Sequence, residues 1–368
     1  HPPPTSLMIE TADTIKLSKF WLLFFCIKCF YWLFAVLIYA KLTQLGDTET
    51  YLSWPLTFYP EMLYNSTHMM GLLGSVSSFL FRVPLLANLP FMLLTFFSIK
   101  YAVEKLGLRK DWFLFLLIAM PSFGIWTSIC SKEAIAVFYG SVLLVYVIKI
   151  LERPRFPNVL EVLALYLCAV FKPFNALFIF QVIGFLMVIR LFALSPQGIG
   201  VVFCLLVILN CVGLYLTRDF LDSLSRNMDI YFNYENAKSN RVNDIWVDRY
   251  DIFRNAPYAM YIGFMGPTLA EMFRNPLHLI AGLESYTILF MMLYLLWPSI
   301  YRMFNSGKTD LTYLVIVSVI FLGFLFVQSL YGALNPGSAV RYRENIYLFM
   351  VLLLLYNYNR NPKSVFSY

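Results

Sequence analysis

The sequence predicts an all-α, polytopic transmembrane helical bundle, and its composition carries most of that prediction. Of the 368 residues, 60% are hydrophobic and 13% are charged, whereas ordinary soluble domains carry about 25% charged residues. The mean hydropathy is +0.68. Because so few polar residues cannot coat a soluble core, a soluble enzyme, a disordered protein and a coiled coil are excluded. The net charge of +7 comes without a basic, aromatic-interleaved stretch outside the apolar runs, so nucleic acid is not an expected partner.

Ten apolar runs account for the predicted spans, since a helix needs about 20 apolar residues to cross a bilayer. The fifth run is short and ends at Lys172-Pro173, which predicts a half-span or one side of a broken helix. We find no internal repeat and no interdomain linker, so residues 1–368 are expected to form a single transmembrane domain. The runs are 20–41, 84–103, 112–130, 134–151, 159–172, 175–194, 199–217, 278–299, 311–331 and 345–358.

Basic residues at the ends of these runs predict the orientation. With ten spans they all fall on one side, which the positive-inside rule makes cytoplasmic, together with both termini. The residues preceding Met8 are expected to be a non-native leader. The basic residues are Lys16, Lys19, Lys100, Lys105, Arg109, Lys110, Lys149, Arg153, Arg155, Arg302, Lys308, Arg360 and Lys363, and the leader is 1–7.

Two long segments then lie on the outer face. The first outer loop is 42–83, which has amphipathic character, and the large outer loop is 218–277, charged in its first half. Within the large loop, the short apolar segment 257–270 contains Gly266-Pro267. These residues predict that the segment lies in the membrane interface or re-enters the bilayer rather than spanning it.

Four cations on the outer side break the charge pattern: Lys132, Lys172, Arg341 and Arg343. A cation that enters the apolar zone costs on the order of 2.5–3.5 kcal/mol. Several at one level therefore indicate an anionic partner, which is an internal carboxylate, a lipid headgroup or a phosphate-bearing ligand. Internal pairing would join sequence neighbours, Lys132 with Glu133 or Arg343 with Glu344. Such pairs are expected to be poor, because adjacent helical residues do not face one another.

A pair of acids follows the first span, in Gly46-Asp47-Thr-Glu49-Thr-Tyr51. A carboxylate there can act as a general base on a sugar hydroxyl, or can ligate a divalent cation. The alternative is that Asp47 only caps a short helix. Asp47 and Glu49 share a face only if the segment is extended.

Other polar residues in the apolar or outer segments are Glu284, Gln328, His68, His278 and the glycosylation sequon Asn65-Ser-Thr67. Polar groups within spans are costly, which makes Glu284 and Gln328 functional candidates. The isolated histidines are expected to be packing or interface residues. The sequence has no phosphate loop, nucleotide-binding glycine motif or Ser-His-Asp pattern, so chemistry driven by ATP is not expected in this chain.

Together these segments resemble membrane glycosyltransferases of the GT-C class. The carboxylate after span one precedes an outer loop of amphipathic character, as in that class. Pro121-Ser-Phe-Gly-Ile-Trp-Thr-Ser-Ile-Cys-Ser-Lys-Glu133 is similar to a Pro-Ser, Trp-x-Ser, Lys-Glu pattern of bacterial surface-polysaccharide transferases and Wzy-like O-antigen polymerases. Arg341-Tyr342-Arg343 resembles the arginines that these proteins place near a lipid pyrophosphate.

The resemblance implies a function and a site. The donor would be a saccharide on undecaprenyl phosphate or pyrophosphate, and the acceptor a lipid-linked glycan, at the outer face of a bacterial inner membrane. The pathway would be surface-polysaccharide, O-antigen or lipopolysaccharide assembly, with other assembly proteins as further partners. Asp47 would be the catalytic base with Glu49 in reserve, beside an optional Mg²⁺ or Mn²⁺. Lys132, Lys172, Arg341, Tyr342 and Arg343 would bind the phosphate, whose developing charge the cations would stabilise.

Three alternatives stay open at this point. The first is a transferase that adds single sugars from a polyprenyl-phosphate monosaccharide. The second is a flippase of lipid-linked saccharides, in which broken helices are expected in corresponding positions of two repeats. The third is a structural subunit whose outer cations contact lipid headgroups. Loss of Asp47 discriminates, because it should abolish sugar transfer and leave a carrier mostly intact.

Overall fold

The structure, a computed structural model, describes residues 17–232, 239, 241–305 and 311–360. Within these residues every regular element is a helix, which confirms the all-α prediction. The predictions for residues 1–7 and the basic residues Lys16, Lys308 and Lys363 lie outside the described part of the chain.

The helices follow one another with short connections. The first half contains α1 (Leu17–Phe34), a π-helical turn (Ala35–Tyr39), α2 (Ala40–Leu42), α3 (Thr48–Leu52), a 3₁₀ turn (Pro60–Leu63), α4 (Ser66–Phe81), α5 (Pro84–Lys105), α6 (Trp112–Ile118), α7 (Pro121–Trp126) and α8 (Lys132–Glu152). The second half contains α9 (Val159–Phe171), α10 (Pro173–Leu191), α11 (Pro196–Leu216), α12 (Arg218–Phe232), α13 (Asp251–Arg254), α14 (Ala256–Met265), α15 (Leu269–Met272), α16 (Pro276–Asn305), α17 (Leu311–Gly332) and α18 (Pro336–Arg360).

Seven helices among the described residues are long and apolar enough to cross a bilayer, as expected of an integral membrane protein. They are Lys19–Leu42, Pro84–Lys105, Lys132–Glu152, Pro173–Leu191, Pro196–Leu216, Pro276–Pro298 and Leu311–Gly332. The other three predicted spans correspond to the broken segment 112–130, the 13-residue α9 and the second half of α18. The count of ten spans, the orientation and the boundaries of the outer loops stay predictions.

The third predicted span is a pair of short helices instead of one continuous helix. Pro121 disfavours helical backbone at the residue before it, and α7 therefore starts anew after the end of α6. A buried turn follows α7, and side chains from other helices satisfy its backbone. The Thr127 carbonyl accepts from Lys28 Nζ at 3.1 Å and from Thr95 Oγ1 at 2.8 Å. The Cys130 N–H donates to Asn88 Oδ1 at 2.6 Å.

Helix α8 is the centre of the bundle. Of its most apolar 18-residue window, 89% is buried, and the helix packs against α5, α9, α10 and α18. Its first residue is Lys132, and the N-terminal part of α18 carries Arg341. The packing of α8 against α18 brings these two cations to the same end of the bundle. We call this the outer end, following the charge pattern.

The predicted break at Lys172-Pro173 is confirmed. Helix α9 ends at Phe171 and α10 begins at Pro173. Lys172 lies between them with φ −143° and ψ 69°, which is outside the helical region. The break puts the lysine side chain at the outer end, where it meets α17 and α18.

The segment 257–270 forms α14 and the start of α15, and α14 packs on α17 and α18. Its placement in the interface or as a re-entrant segment stays a prediction. Glycines allow this close packing. A Cβ at Gly332 would come 2.9 Å from Gly263 Cα and 3.0 Å from Ala339 Cα, both of them backbone atoms. Small residues at helix contacts are typical of membrane bundles.

The first test follows from this contact. We expect Gly332→Ala to destabilise the protein by about 1–3 kcal/mol, because the added methyl group meets backbone that cannot rotate away. Gly184→Ala in α10 is the matched control, since nothing lies within 4 Å of its Cβ position. Thermal unfolding of both variants in one detergent provides the measurement, and equal midpoints would contradict the packing described here.

Candidate functional site

The site begins with the way α18 distributes its charges. Arg341, Tyr342, Arg343 and Glu344 are consecutive residues of one helix, and each successive side chain is rotated by about 100°. Arg341 and Tyr342 point toward α3, α8 and α10 at the outer end, whereas Arg343 and Glu344 point into the bundle. The motif therefore supplies two environments, one accessible and one fully buried.

Arg341 is held among acids and aromatic rings. Its Nη2 lies 3.4 Å from Asp47 Oδ2, and its Nε lies 3.2 Å from Glu133 Oε1, an ion pair without an aligned hydrogen bond. Its guanidinium lies over the Trp126 ring, 5.1 Å from the centroid. It also occupies the space that a Cβ at Gly46 would need, where the backbone has a φ of +56°. A glycine at position 46 thus allows the loop to approach the guanidinium closely.

Asp47 stands at the N-terminus of α3, and its side chain does not cap that helix. The interpretation of Asp47 as only a helix cap is therefore wrong. Its side chain is 54% exposed, with Arg341 and the Tyr51 hydroxyl as neighbours, the latter at 3.4 Å from Oδ2. The carboxylate thus remains accessible to a ligand.

Lys132 does not pair with Glu133 in the structure. Its Nζ donates to Ser66 Oγ at 3.1 Å and to Thr67 Oγ1 at 2.9 Å. Asn65 precedes these residues and caps α4, accepting from the N–H groups of Thr67 and His68. The sequon therefore forms the N-cap and the first turn of α4, and its two hydroxyl groups hold the Lys132 ammonium at the outer end.

Lys172 lies against two tyrosine rings. Its Nζ is 5.0 Å from the centroid of Tyr331 and 4.9 Å from that of Tyr342. Lys172 lies outside the membrane-spanning segments that flank it, and burial lowers its pKa to about 8. The ammonium is thus charged at neutral pH, and an experiment can remove the charge by raising the pH above about 8.

These side chains meet around one cavity of about 380 Å³, which we call the cationic cavity. Its volume lies within the range of small-molecule sites, about 300–1,000 Å³. Three cations and one carboxylate line it. The lining comprises Asp47, Tyr64, Asn65, Ser66, Lys132, Val170, Phe171, Lys172, Pro173, Phe174, Asn175, Val327, Tyr331, Arg341 and Tyr342.

The donor set of the cationic cavity suits an anion better than a divalent cation. Asp47 supplies the one carboxylate of its lining, beside three positive side chains, whereas Mg²⁺ and Mn²⁺ favour several oxygen ligands. Among the described residues, no group of three His, Cys, Asp or Glu side chains could hold a metal. The lining of the cationic cavity therefore does not fit a Mg²⁺ or Mn²⁺ site.

Arg343 does not join the cationic cavity. It is fully buried, and its guanidinium contacts Glu344 at 3.1 Å, Glu284 at 3.8 Å and Ser285 Oγ at 2.6 Å. The expectation that Arg343 and Glu344 pair poorly was wrong, because a long arginine side chain can fold back onto the adjacent carboxylate in an apolar interior. The contacts fit a structural ion network, and phosphate binding by Arg343 is not supported by its position.

Glu49 is also apart from the cavity. The segment after Asp47 is helical, so the two acids do not share a face, and Glu49 points to the exposed side of α3.

Glu284 was a functional candidate as an acid within a span. The structure holds it with Ser122, whose N–H and Oγ donate to the carboxylate at 3.0 and 2.7 Å.

Sequence reasoning assigned Tyr342 to the site but gave no role to Trp126 or Tyr331. Trp126 belongs to the motif in 121–133 and Tyr331 ends the predicted span 311–331, and only the fold shows them facing Arg341 and Lys172. The motif in 121–133 does point to residues near the site. In the structure Ser122 hydrogen-bonds Glu284, and Trp126 and Glu133 contact Arg341.

Comparison of the chain with protein-family models, with curated proteins and with solved structures gives no match. The site geometry therefore carries the functional argument.

The second test uses the pKa of Lys172. As pH rises through about 8, the ammonium loses its proton, so binding of undecaprenyl phosphate should weaken between pH 7 and 9. The ligand's own charge changes little there, since the second phosphate pKa is about 6. Lys172→Arg keeps its charge, so its binding should depend less on pH over this range than that of the wild type. Equal pH profiles for the two proteins, measured by equilibrium binding, would contradict the assignment.

Proposed function

We propose that the protein is a membrane glycosyltransferase that uses a saccharide linked to a polyprenyl phosphate or pyrophosphate. The supporting observation is the cationic cavity, where Lys132, Lys172 and Arg341 surround a space that also contains the exposed Asp47 carboxylate. Cations fit the phosphate of the donor, and the carboxylate fits the acceptor hydroxyl. The resemblance to GT-C enzymes and O-antigen polymerases points to the same chemistry.

In the proposed reaction, Asp47 accepts the proton of an acceptor hydroxyl as that oxygen attacks the anomeric carbon of the donor sugar. The new glycosidic bond forms as the bond between the anomeric carbon and the phosphate oxygen breaks. The electron pair leaves with the phosphate, and Lys132, Lys172 and Arg341 stabilise its negative charge. A second proton transfer to water later restores the Asp47 carboxylate.

Arg341 links these two roles. It lies 3.4 Å from Asp47 in the ligand-free protein, so a bound phosphate would compete with the aspartate for the guanidinium. Donor binding would thereby release the Asp47 carboxylate from Arg341 and leave it available to accept a hydrogen bond from the acceptor hydroxyl.

One observation favours a second function, a flippase of lipid-linked saccharides. Sequence reasoning found the helix break at Lys172, and the described residues show that the third predicted span is also broken, into α6 and α7. Transporters use broken helices near their substrate sites. The site chemistry would still bind the lipid phosphate, and the difference lies in what happens to the sugar.

The experiment uses purified protein in vesicles with an undecaprenyl-pyrophosphate-linked oligosaccharide, and mass spectrometry reads the glycan length. Products lengthened by whole oligosaccharides indicate a polymerase, and addition of one sugar from a polyprenyl-phosphate monosaccharide indicates the single-sugar transferase. Arg341→Ala should abolish either product, whereas Arg274→Ala, an exposed outer cation that does not line the cavity, should not. Movement of unmodified lipid across the vesicle without any product would reject the enzyme in favour of the flippase.

A further inference from the structure

A second cavity of about 410 Å³ lies on the other side of Arg341. Arg341 lines both cavities, while Gly46 lines the second and its neighbour Asp47 lines the first. The second cavity is bounded by the end of α2, by α7, by the start of α16 and by the start of α18. The two cavities therefore share the Arg341 side chain, whose Nη2 lies 3.4 Å from the proposed catalytic carboxylate of Asp47.

One side of this cavity is apolar and open. Leu42 at the end of the first span is 55% exposed, and Leu277 and Ile280 at the start of α16 are 48% and 61% exposed. Both helices are candidate membrane spans, so these side chains lie where a spanning helix meets the outer boundary of the bilayer. An alkyl chain could enter the cavity there directly from the lipid.

The other side is polar but carries little charge. It presents amide, hydroxyl and imidazole groups, among them Asn275, His278, Asn335 and Ser338. Glu284 is the carboxylate of this lining, and Arg341 is its cation, shared with the cationic cavity. The cationic cavity suits a phosphate, whereas this wall suits a neutral group with many hydroxyls. Hydroxyl groups donate hydrogen bonds to carboxylate and amide oxygens and accept them from amide N–H groups.

Glu284 is prepared for such a role. The N–H and the hydroxyl of Ser122 fix the orientation of its carboxylate, and Arg343 lies 3.8 Å away on the buried side. Each carboxylate oxygen has two lone pairs, so acceptor capacity remains for a ligand hydroxyl. A fixed acceptor of this kind selects the orientation of a sugar ring.

We propose that the second cavity binds the acceptor, and that the acceptor is a saccharide carried on a lipid. Its sugar would lie against Glu284, Asn275 and Asn335, with its lipid passing out between Leu42 and Ile280. This inference rests on the proposed function, which it extends by assigning the acceptor a site. The acceptor hydroxyl would lie beside Gly46, the residue that directly precedes Asp47.

The test uses an alkyl maltoside with a diazirine in its alkyl chain as the probe, added to the full-length protein in nanodiscs and activated by light. Mass spectrometry should locate labels on peptides that contain Leu42 or Ile280. Ala281→Trp, which fills the cavity from α16, should lower labelling there about tenfold by steric exclusion. Leu283→Trp is the matched control, because Leu283 lies on the same helix, is 57% exposed and does not line the cavity.

A second blocking variant, Ser338→Trp, acts from α18 instead of α16 and guards against a local effect of the first. Equal labelling in the wild type and both variants, or labels spread evenly over exposed apolar helices, would overturn the acceptor site. Binding of undecaprenyl phosphate is measured in parallel. If that binding persists while maltoside labelling is unspecific, only this inference fails. If the wild type does not bind undecaprenyl phosphate at all, the proposed function fails as well.

Discussion

Replacement of Asp47 by asparagine is expected to lower the rate of sugar transfer about 10²–10⁴-fold, the usual contribution of a general base. Asparagine has the same shape but cannot accept the proton of the acceptor hydroxyl. The cations that line the cavity are unchanged, and the loss of one negative charge should leave undecaprenyl phosphate binding equal or stronger. Single-turnover transfer and equilibrium binding, measured on the same preparation, separate the two effects.

Glu49→Gln is the control for this variant. Both acids belong to the same short segment, but Glu49 lies outside the lining of the cationic cavity. We expect its transfer rate to stay within about twofold of the wild type, as for a surface substitution. If Glu49→Gln were inactive and Asp47→Asn active, the roles of the two acids would be reversed and the geometric assignment would be rejected.

The second large effect concerns stability. We expect Arg343→Met to destabilise the protein by about 3–5 kcal/mol, the cost of removing one partner of a buried ion pair. Methionine replaces the aliphatic stem of arginine but leaves the buried carboxyls of Glu284 and Glu344 without their shared guanidinium. Thermal or denaturant-induced unfolding in one detergent measures the loss.

A compensating variant tests the cause. If the loss comes from uncompensated acids, Arg343→Met combined with Glu284→Gln and Glu344→Gln should recover most of the stability, because buried neutral groups cost less than unpaired charges. A triple variant no more stable than Arg343→Met would mean that packing of the arginine stem, and not charge, was lost. The single variant should also keep its phosphate affinity when folded, since Arg343 does not line the cationic cavity.

Much of the fold could be predicted because the apolar runs are long and their ends are marked by charges or prolines. The sequence also identified Asp47, Lys132, Lys172 and Arg341, since cations and carboxylates at the ends of apolar runs are costly and hence conspicuous. These residues come from four distant segments. Their convergence on one cavity depends on how α8 packs against α18, which no local pattern encodes.

The errors have physical causes as well. Hydropathy does not register the break at Pro121, because Ala119 and Met120 before it are apolar. The backbone of the turn after α7 is satisfied by side chains from remote helices, which no local pattern shows. The roles of Arg341 and Arg343 could not be separated by sequence, since they differ by two positions in one helix. Rotation about the helix axis decides which of them reaches the cavity and which enters the core.

Helix α11 differs from α8 in burial, and burial determines which substitutions a helix tolerates. No residue of its most apolar window is buried, against 89% for α8. Lipid tails solvate leucine, isoleucine, valine and phenylalanine about equally well, so exchanges among them in 196–216 leave both fold and solvation intact. The same exchanges in α8 change volumes inside a packed interior. Neutral drift is thus expected to accumulate in α11, and a comparison of diverged sequences should anchor its alignment on α8 and α18.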